Sequence, residues 1–241
     1  MRFSEFLREK RFGPGRGVTG PPPEKGIKRF FFILWNHFWK LILLNLLFLA
    51  FCIPILTIPA AFCGMNRVLI KLVHEGHCDL WQDFIREFKS SFFKSLPFGV
   101  LYAFLLLDIQ YAVRLSAAGE SLNVWIAALA FCLLGATIVF FSYAFVFIPA
   151  LPLKGWPVAK NAFIFMLTEW KTNIILLVCA AVLTGGLAAI AYYVPVPAMA
   201  LLLVIYFAFC QLLVCTAIME PMRRRIIEPY EKTQNETEVS V

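Results

Sequence analysis

The chain has 241 residues, of which 61% are hydrophobic and only 15% are charged. A typical soluble domain has about 25% charged residues, so this composition excludes an ordinary soluble protein and makes lipid the solvent for most of the chain. The formal net charge is +7. The basic residues collect at the ends of apolar runs, where they meet lipid headgroups, so they indicate the lipid bilayer and not nucleic acid as the partner.

The chain opens with residues 1–29, a basic segment that contains the Gly/Pro-rich sequence GPGRGVTGPPPEKG. This segment has no apolar periodicity and several helix breakers, so we expect a flexible linker. A helical membrane domain is expected over residues 30–219. Near its start, Trp35, Phe38 and Trp39 share one helical face of the kind found at the level of the lipid headgroups.

Five apolar runs in this domain are long enough to cross a bilayer core of about 30 Å, which needs about 20 residues of helix. The predicted spans cover residues 41–57, 97–115, 122–147, 173–194 and 197–218. The predicted fold class is therefore all-α: a polytopic helical membrane protein with about five transmembrane helices.

The connections between the predicted spans contain two amphipathic segments. Interfacial helices are predicted at residues 79–95 and 156–170, and residues 220–241 form a polar C-terminal tail. Pro54 and Pro59 are expected to end the first span, because each proline lacks a backbone donor and clashes with the preceding turn. A loop is then expected between this span and the first interfacial helix.

The distribution of Lys and Arg predicts the orientation, because cytoplasmic connections carry the excess of basic residues. The connections after the first and third spans and the tail are basic, which predicts a cytoplasmic C-terminus. With five spans, however, the basic residues 1–29 would lie outside. The alternative is that the apolar run Phe30–Ala61 is bent, re-entrant or crosses twice, which would bring both termini inside.

The segment 79–95 carries apolar residues at helical spacing, and Asp79 and Gln82 could form a capping-box start. Two interpretations are open. The helix can lie on the membrane and complete the packing, or it can bind a cytoplasmic or membrane partner. For the second interpretation the candidate docking residues are Trp81, Phe84, Phe88 and Lys89.

Polar residues within spans are candidates for function. Here they are Asn45 in the first span and Asp108 and Arg114 in the second. Asp108 and Arg114 are six residues apart, which is too offset for a pair on one helical face. Their role is therefore either in packing or, for Asp108, beside a path for a small solute.

The chain offers little for catalysis. It has no nucleotide-binding glycine loop, no paired carboxylates and no Ser/His/Asp set that could meet, so we expect neither an enzyme nor a cofactor. His74, His77 and Cys78 are the one cluster of potential metal ligands, but their spacing matches no zinc pattern, so no metal site is expected.

The stretch from residue 38 to residue 96 resembles a known family. The sequence elements that carry the resemblance are Asn45-Leu46-Leu47, Ile53-Pro54, Thr57-Ile58-Pro59-Ala60-Ala61, Trp81-x-Asp83-Phe84 and Phe88-Lys89. They resemble the YesL-like family of bacterial membrane proteins, a domain of unknown function. One departure is Pro59, where that family often has Gly.

The resemblance implies a multi-pass protein of the bacterial inner (plasma) membrane. Members of the family are often linked with carbohydrate uptake, including sugar ABC transporters, and no catalytic residues can be carried over. The expected function is a non-enzymatic accessory or regulatory protein whose partner is a subunit of such a transporter. The alternative is a small-solute permease with its path near Asp108.

Overall fold

The computed structural model describes residues 26–76, 78–117, 123–151, 153, 155–193, 196–227 and 229. The described chain forms eight α-helices: α1 Ile27–Asn36, α2 Phe38–Phe51, α3 Ile58–Glu75, α4 Leu80–Ala117, α5 Asn123–Ala150, α6 Gly155–Thr168, α7 Trp170–Tyr193 and α8 Val196–Met222. These residues contain no strand, which confirms the predicted all-α class. The predicted linker before residue 26 and most of the predicted tail lie outside the described residues.

Helix α3 is the largest difference from the predicted arrangement. Ile58–Glu75 form a helix of 18 residues where the sequence predicts a loop, so the loop prediction is wrong for these residues. Pro59 lies in the first turn, where its fixed φ suits a helix start and its missing N–H is not needed. Gly76 ends the helix with a φ of 79°, and its N–H donates to the carbonyl of Leu72.

Helix α3 is also the centre of the molecule. Twelve of its residues are buried, and it packs against α2, α4, α5 and α8. The ring of Phe62 lies 4.8 Å from that of Phe48 in α2 and 6.0 Å from that of Phe145 in α5. The stretch predicted to connect two spans therefore contains the helix around which the others pack.

Helix α4 unites two elements that the sequence predicts separately. Leu80–Ala117 is one helix of 38 residues with Pro97 inside it, so the interfacial helix 79–95 continues without a break into the span 97–115. The side-chain hydrogen bond at its N-terminus differs from the predicted one, in which Asp79 accepts from first-turn amides and Gln82 completes the capping box. The carboxylate of Asp83, and not the side chain of Gln82, accepts a hydrogen bond of 3.1 Å from the N–H of Asp79.

Two pairs of helices meet at sharp bends. α1 and α2 make an angle of 82°, and α6 and α7 make an angle of 93°. The second interfacial helix is present as α6, but it ends at Thr168, and α7 begins at Trp170, three residues before the predicted span. Each bent pair is either a broken span or a re-entrant segment.

By length and composition, three helices of the described chain can cross a membrane, or up to five if each bent pair is one span. The three are Ile55–Glu75, Leu80–Ala112 and Trp125–Ala150. Helix α8 has 27 residues, or about 40 Å at 1.5 Å per residue, which also suffices to cross a bilayer. These helices define a polytopic helical membrane protein, while the bilayer boundaries of the predicted spans stay a prediction.

Candidate functional site

A row of buried and half-buried polar side chains runs between α3 and α4, and we name it the α3–α4 seam. Its members recur every four residues on each helix, which keeps them on one helical face. They are Cys63, Arg67 and Lys71 on α3 and Asp83, Glu87, Ser91 and Ser95 on α4. Cys63, Asp83, Ser91 and Ser95 are at most 7% exposed, so the seam faces the protein interior and not the lipid.

An ion pair lies at the end of the seam nearest the α3–α4 turn. The Nζ of Lys71 lies 2.7 Å from Oδ1 of Asp83, and the two side chains are only 15% and 8% exposed. The other oxygen of the same carboxylate accepts the hydrogen bond from the N–H of Asp79. Asp83 therefore joins α3 to the first turn of α4, and each member of this buried pair depends on the other for its compensating charge.

Two neighbouring residues of α3 complete the C-terminal end of α5. Pro149 has no N–H, so the carbonyl of Phe145, four residues earlier, has no helical donor. The side-chain amide of Asn66 donates to that carbonyl at 2.9 Å. The guanidinium of Arg67 donates to the carbonyl of Pro149 at 3.1 Å, where a positive charge also suits the helix dipole.

Asn45 also joins helices. Its side chain is fully buried, and its Oδ1 accepts a hydrogen bond of 2.9 Å from the backbone N–H of Ala208 in α8. Asn66 reaches the same helix, since the thiol of Cys215 lies 3.5 Å from its Oδ1. These contacts agree with packing as the role of Asn45.

Asp108 and Arg114 are both exposed on α4, and in the described part of the chain the structure records no ion pair for either residue. A cavity of about 390 Å³ lies between α3, α4, α5 and α8, but Asp108 does not line it. The polar side chains in its wall are Tyr102, Ser142 and Gln211. This cavity therefore does not supply the predicted solute path beside Asp108.

The four candidate docking residues divide into two outward and two inward side chains. Trp81 is 63% exposed, and Lys89 is exposed. Phe84 is fully buried against Gly64, and the ring of Phe88 lies 4.8 Å from that of Phe51. Phe84 and Phe88 pack inside the molecule, so they do not form the predicted surface.

The exposed residues of this part of α4 form a different surface, which we name the α4 outer face. It consists of Trp81, Gln82, Arg86, Lys89, Ser90, Phe93 and Lys94. Phe93 is 82% exposed. In the sequence, the basic residues of the helix indicate this exposed face. The regular spacing of Phe84, Phe88 and Phe92 indicates instead the face that packs against the rest of the protein.

Sequence reasoning missed Glu169, which lies at the bend between α6 and α7. Its side chain is buried, and its carboxylate pairs with Arg225 and, at 3.4 Å, with Arg224. The ion pairs hold the segment after α8 against the bend. In the sequence, Glu169 is the single acidic residue between Glu120 and Glu220, and a run of three arginines begins at Arg223. An isolated acidic residue in a chain with such a basic run was the sequence feature that could have indicated this ion pair.

The cluster of His74, His77 and Cys78 forms no metal site in the part of it that the structure describes; His77 lies outside the described residues. Burial, aided by the carboxylates of Asp83 and Asp79, raises the pKa of the Cys78 thiol to about 11. Cys78 is therefore protonated at neutral pH, and the thiolate is the form that binds metals.

The comparisons with known proteins give one family match. Residues 41–110 match the model of a family described as "Protein of unknown function, DUF624". This region begins in α2 and ends in α4, so it contains α3, the α3–α4 seam and the α4 outer face. No curated protein and no solved structure matches the chain.

Proposed function

We propose that this protein is a non-enzymatic accessory or regulatory protein of the bacterial cell membrane, associated with carbohydrate uptake. Its partner in this proposal is a subunit of a sugar ABC transporter. The resemblance of residues 38–96 to the YesL-like family supports the link with carbohydrate uptake. The observation that carries a docking role is the α4 outer face, which lies inside the region matched by the family.

The α4 outer face has the composition of a binding surface. Trp81 and Phe93 are 63% and 82% exposed, and three exposed basic residues accompany them. Aromatic residues and Arg are enriched at protein interfaces and supply much of the binding energy. The basic residues favour an acidic partner surface. The α3–α4 seam holds the opposite side of the helix, so a partner would meet a preorganised surface.

We infer that this face is cytoplasmic and that both ends of the chain lie on the same side. Arg29, near the start of α1, donates to the carbonyl of His74 at the end of α3. Arg223, after α8, is near enough to Arg29 to act on it electrostatically. The three helices of membrane length, which include α3, the two bent pairs and α8 together make six crossings. This even number brings the eight basic residues of segment 1–29 to the basic, cytoplasmic side.

Reporter fusions test this topology. A fluorescent reporter that matures only in the cytoplasm should be active at residue 1 and also at residue 241. A phosphatase that is active only after export should be active when inserted between residues 118 and 122, because this connection is expected on the opposite side. Phosphatase activity at residue 1 together with a cytoplasmic C-terminus would contradict this topology and indicate an odd number of spans.

The docking proposal predicts a loss of binding from substitutions on the α4 outer face. Each of Trp81→Ala and Phe93→Ala removes an exposed aromatic group, and a strong interface residue contributes about 2 kcal/mol, or roughly 30-fold in affinity. Affinity purification from the native membrane should recover a transporter subunit with the natural chain and much less with either variant. Trp156→Ala is the matched control, because Trp156 is 81% exposed but lies on α6.

Phe84→Ala is unsuitable for this test because it would leave a cavity in the core. If the natural chain recovers no transporter subunit, or if the control variant loses as much as Trp81→Ala, the docking proposal is wrong.

A small-solute permease is the second candidate, and the cavity of about 390 Å³ favours it. An assay of sugar uptake by cells that carry each variant separates the two. Under the docking proposal, Asp108→Asn leaves sugar uptake unchanged, because Asp108 is exposed and does not line this cavity. Loss of uptake in Asp108→Asn or Gln211→Leu, with normal membrane insertion and normal recovery of the transporter, would favour the permease.

A further inference from the structure

The inner side of the bend between α1 and α2 forms a pocket, which we name the elbow pocket. It is lined by residues 34–41 and by Phe209 of α8 and has a volume of about 830 Å³. Because the two helices meet at 82°, α1 lies near the membrane surface when α2 runs into the bilayer. The pocket then lies where lipid headgroups meet the acyl chains.

The polar groups of the elbow pocket suit an anion. Lys40 is the one charged residue in the sequence of α2, it is exposed, and the described part of the chain contains no recorded ion pair for it. Trp35 and Trp39 are 88% and 79% exposed on either side of the bend. An indole N–H can only donate a hydrogen bond, and an ammonium group likewise.

A buried histidine adds a second observation. His37 lies at the bend, lines the elbow pocket and is only 8% exposed. Its Nε2 has no hydrogen-bond partner among the described residues. Buried polar atoms usually have a partner, so this nitrogen calls for one.

Below the pocket, α2 offers a path for an acyl chain. Leu43 and Leu46 are 56% and 45% exposed, and Ala50 is also exposed. Their spacing of three and four residues keeps them on one helical face, and it continues the face of Trp39. A cationic, aromatic pocket therefore opens onto an apolar stripe that points into the bilayer.

We propose that the elbow pocket binds one anionic phospholipid, with its phosphate at Lys40, beside His37, and an acyl chain along Leu43 and Leu46. The basic residues Lys28 and Arg29 of α1 add to the positive field around the headgroup. This site is independent of the α4 outer face, and it stands whether or not a transporter subunit docks there.

Native mass spectrometry of the full chain tests the proposal. Protein extracted from vesicles of equal parts phosphatidylglycerol and phosphatidylcholine should retain one phosphatidylglycerol. Lys40→Gln should lower this retention about tenfold, Lys40→Arg should keep it, and the exposed control Lys89→Gln should have no effect. A melting temperature of Lys40→Gln equal to that of the natural chain would exclude a loss of fold as the cause.

Three outcomes would overturn the lipid site. They are equal retention of phosphatidylcholine, retention of phosphatidylglycerol that Lys40→Gln does not change, and displacement of the lipid by inorganic phosphate. The last result would assign the pocket to a free anion. Quenching by brominated lipids gives a second readout, because brominated phosphatidylglycerol should quench the natural chain more than it quenches Trp39→Phe.

Discussion

Replacing Lys71 by Met is expected to lower the free energy of unfolding by about 3–5 kcal/mol, because it leaves the buried carboxylate of Asp83 without its counter-charge. The Nζ of Lys71 lies 2.7 Å from that carboxylate, and both side chains are largely buried. Asp83→Asn should also be strongly destabilising, since it leaves an ammonium group without its partner. Unfolding by denaturant in detergent micelles measures both effects.

The double variant Lys71→Met/Asp83→Asn is the decisive measurement. It has no unpaired charge, and the amide oxygen of Asn at position 83 can still accept the hydrogen bond from the N–H of Asp79. It should therefore be more stable than either single variant. Lys89→Met is the control, because Lys89 is exposed on the same helix. Single effects that simply add in the double variant would contradict a coupled pair.

Replacing Gly99 by Ala is expected to displace the start of α3 from α4. A Cβ at position 99 would lie 2.8 Å from Cβ of Pro59 and closer still to its Cγ. The ring of Pro59 cannot rotate away, because it is part of the backbone in the first turn of α3. Overpacking of this kind destabilises a protein by about 1–3 kcal/mol, which a thermal unfolding curve detects.

A control and a rescue make this prediction specific. Gly135→Ala should be neutral or stabilising, because its Cβ would meet Leu177 at an ordinary 3.6 Å and Ala favours a helix by about 1 kcal/mol. Pro59→Gly, combined with Gly99→Ala, removes all three atoms that the new Cβ would meet. If this combination is no more stable than Gly99→Ala alone, steric contact with Pro59 is not the cause.

Several local predictions were accurate because they depend on chemistry close in the chain. Pro54 follows the end of α2, as expected for a residue that cannot continue a helix. The amphipathic segments predicted at 79–95 and 156–170 are helical over residues 80–95 and 156–168, because their apolar residues recur at helical spacing. Asn45, chosen as a polar residue in an apolar run, is fully buried and bonds another helix.

The predictions that failed concern residues whose place depends on contacts with other helices. The sequence predicts a loop over residues 58–75 because Pro54 and Pro59 are expected to bend or end the first span. In the structure, residues within this stretch meet Phe84, the carbonyls of Phe145 and Pro149, and Asp83. Two of the four candidate docking residues, Phe84 and Phe88, turned inward for the same reason: their regular spacing defines a helical face without indicating which neighbour covers it.

By itself the sequence determined that this chain is helical and polytopic, because apolar runs of about 20 residues can satisfy their backbone in lipid only as helices. It also determined which ends of the runs are basic. Only the tertiary structure decided that α3 is the central helix, that Asp83 forms an ion pair with Lys71 and that Arg29 donates a hydrogen bond to the end of α3. The physical reason is that a polar group in an apolar environment is tolerated only where a partner lies, and these partners come from other helices.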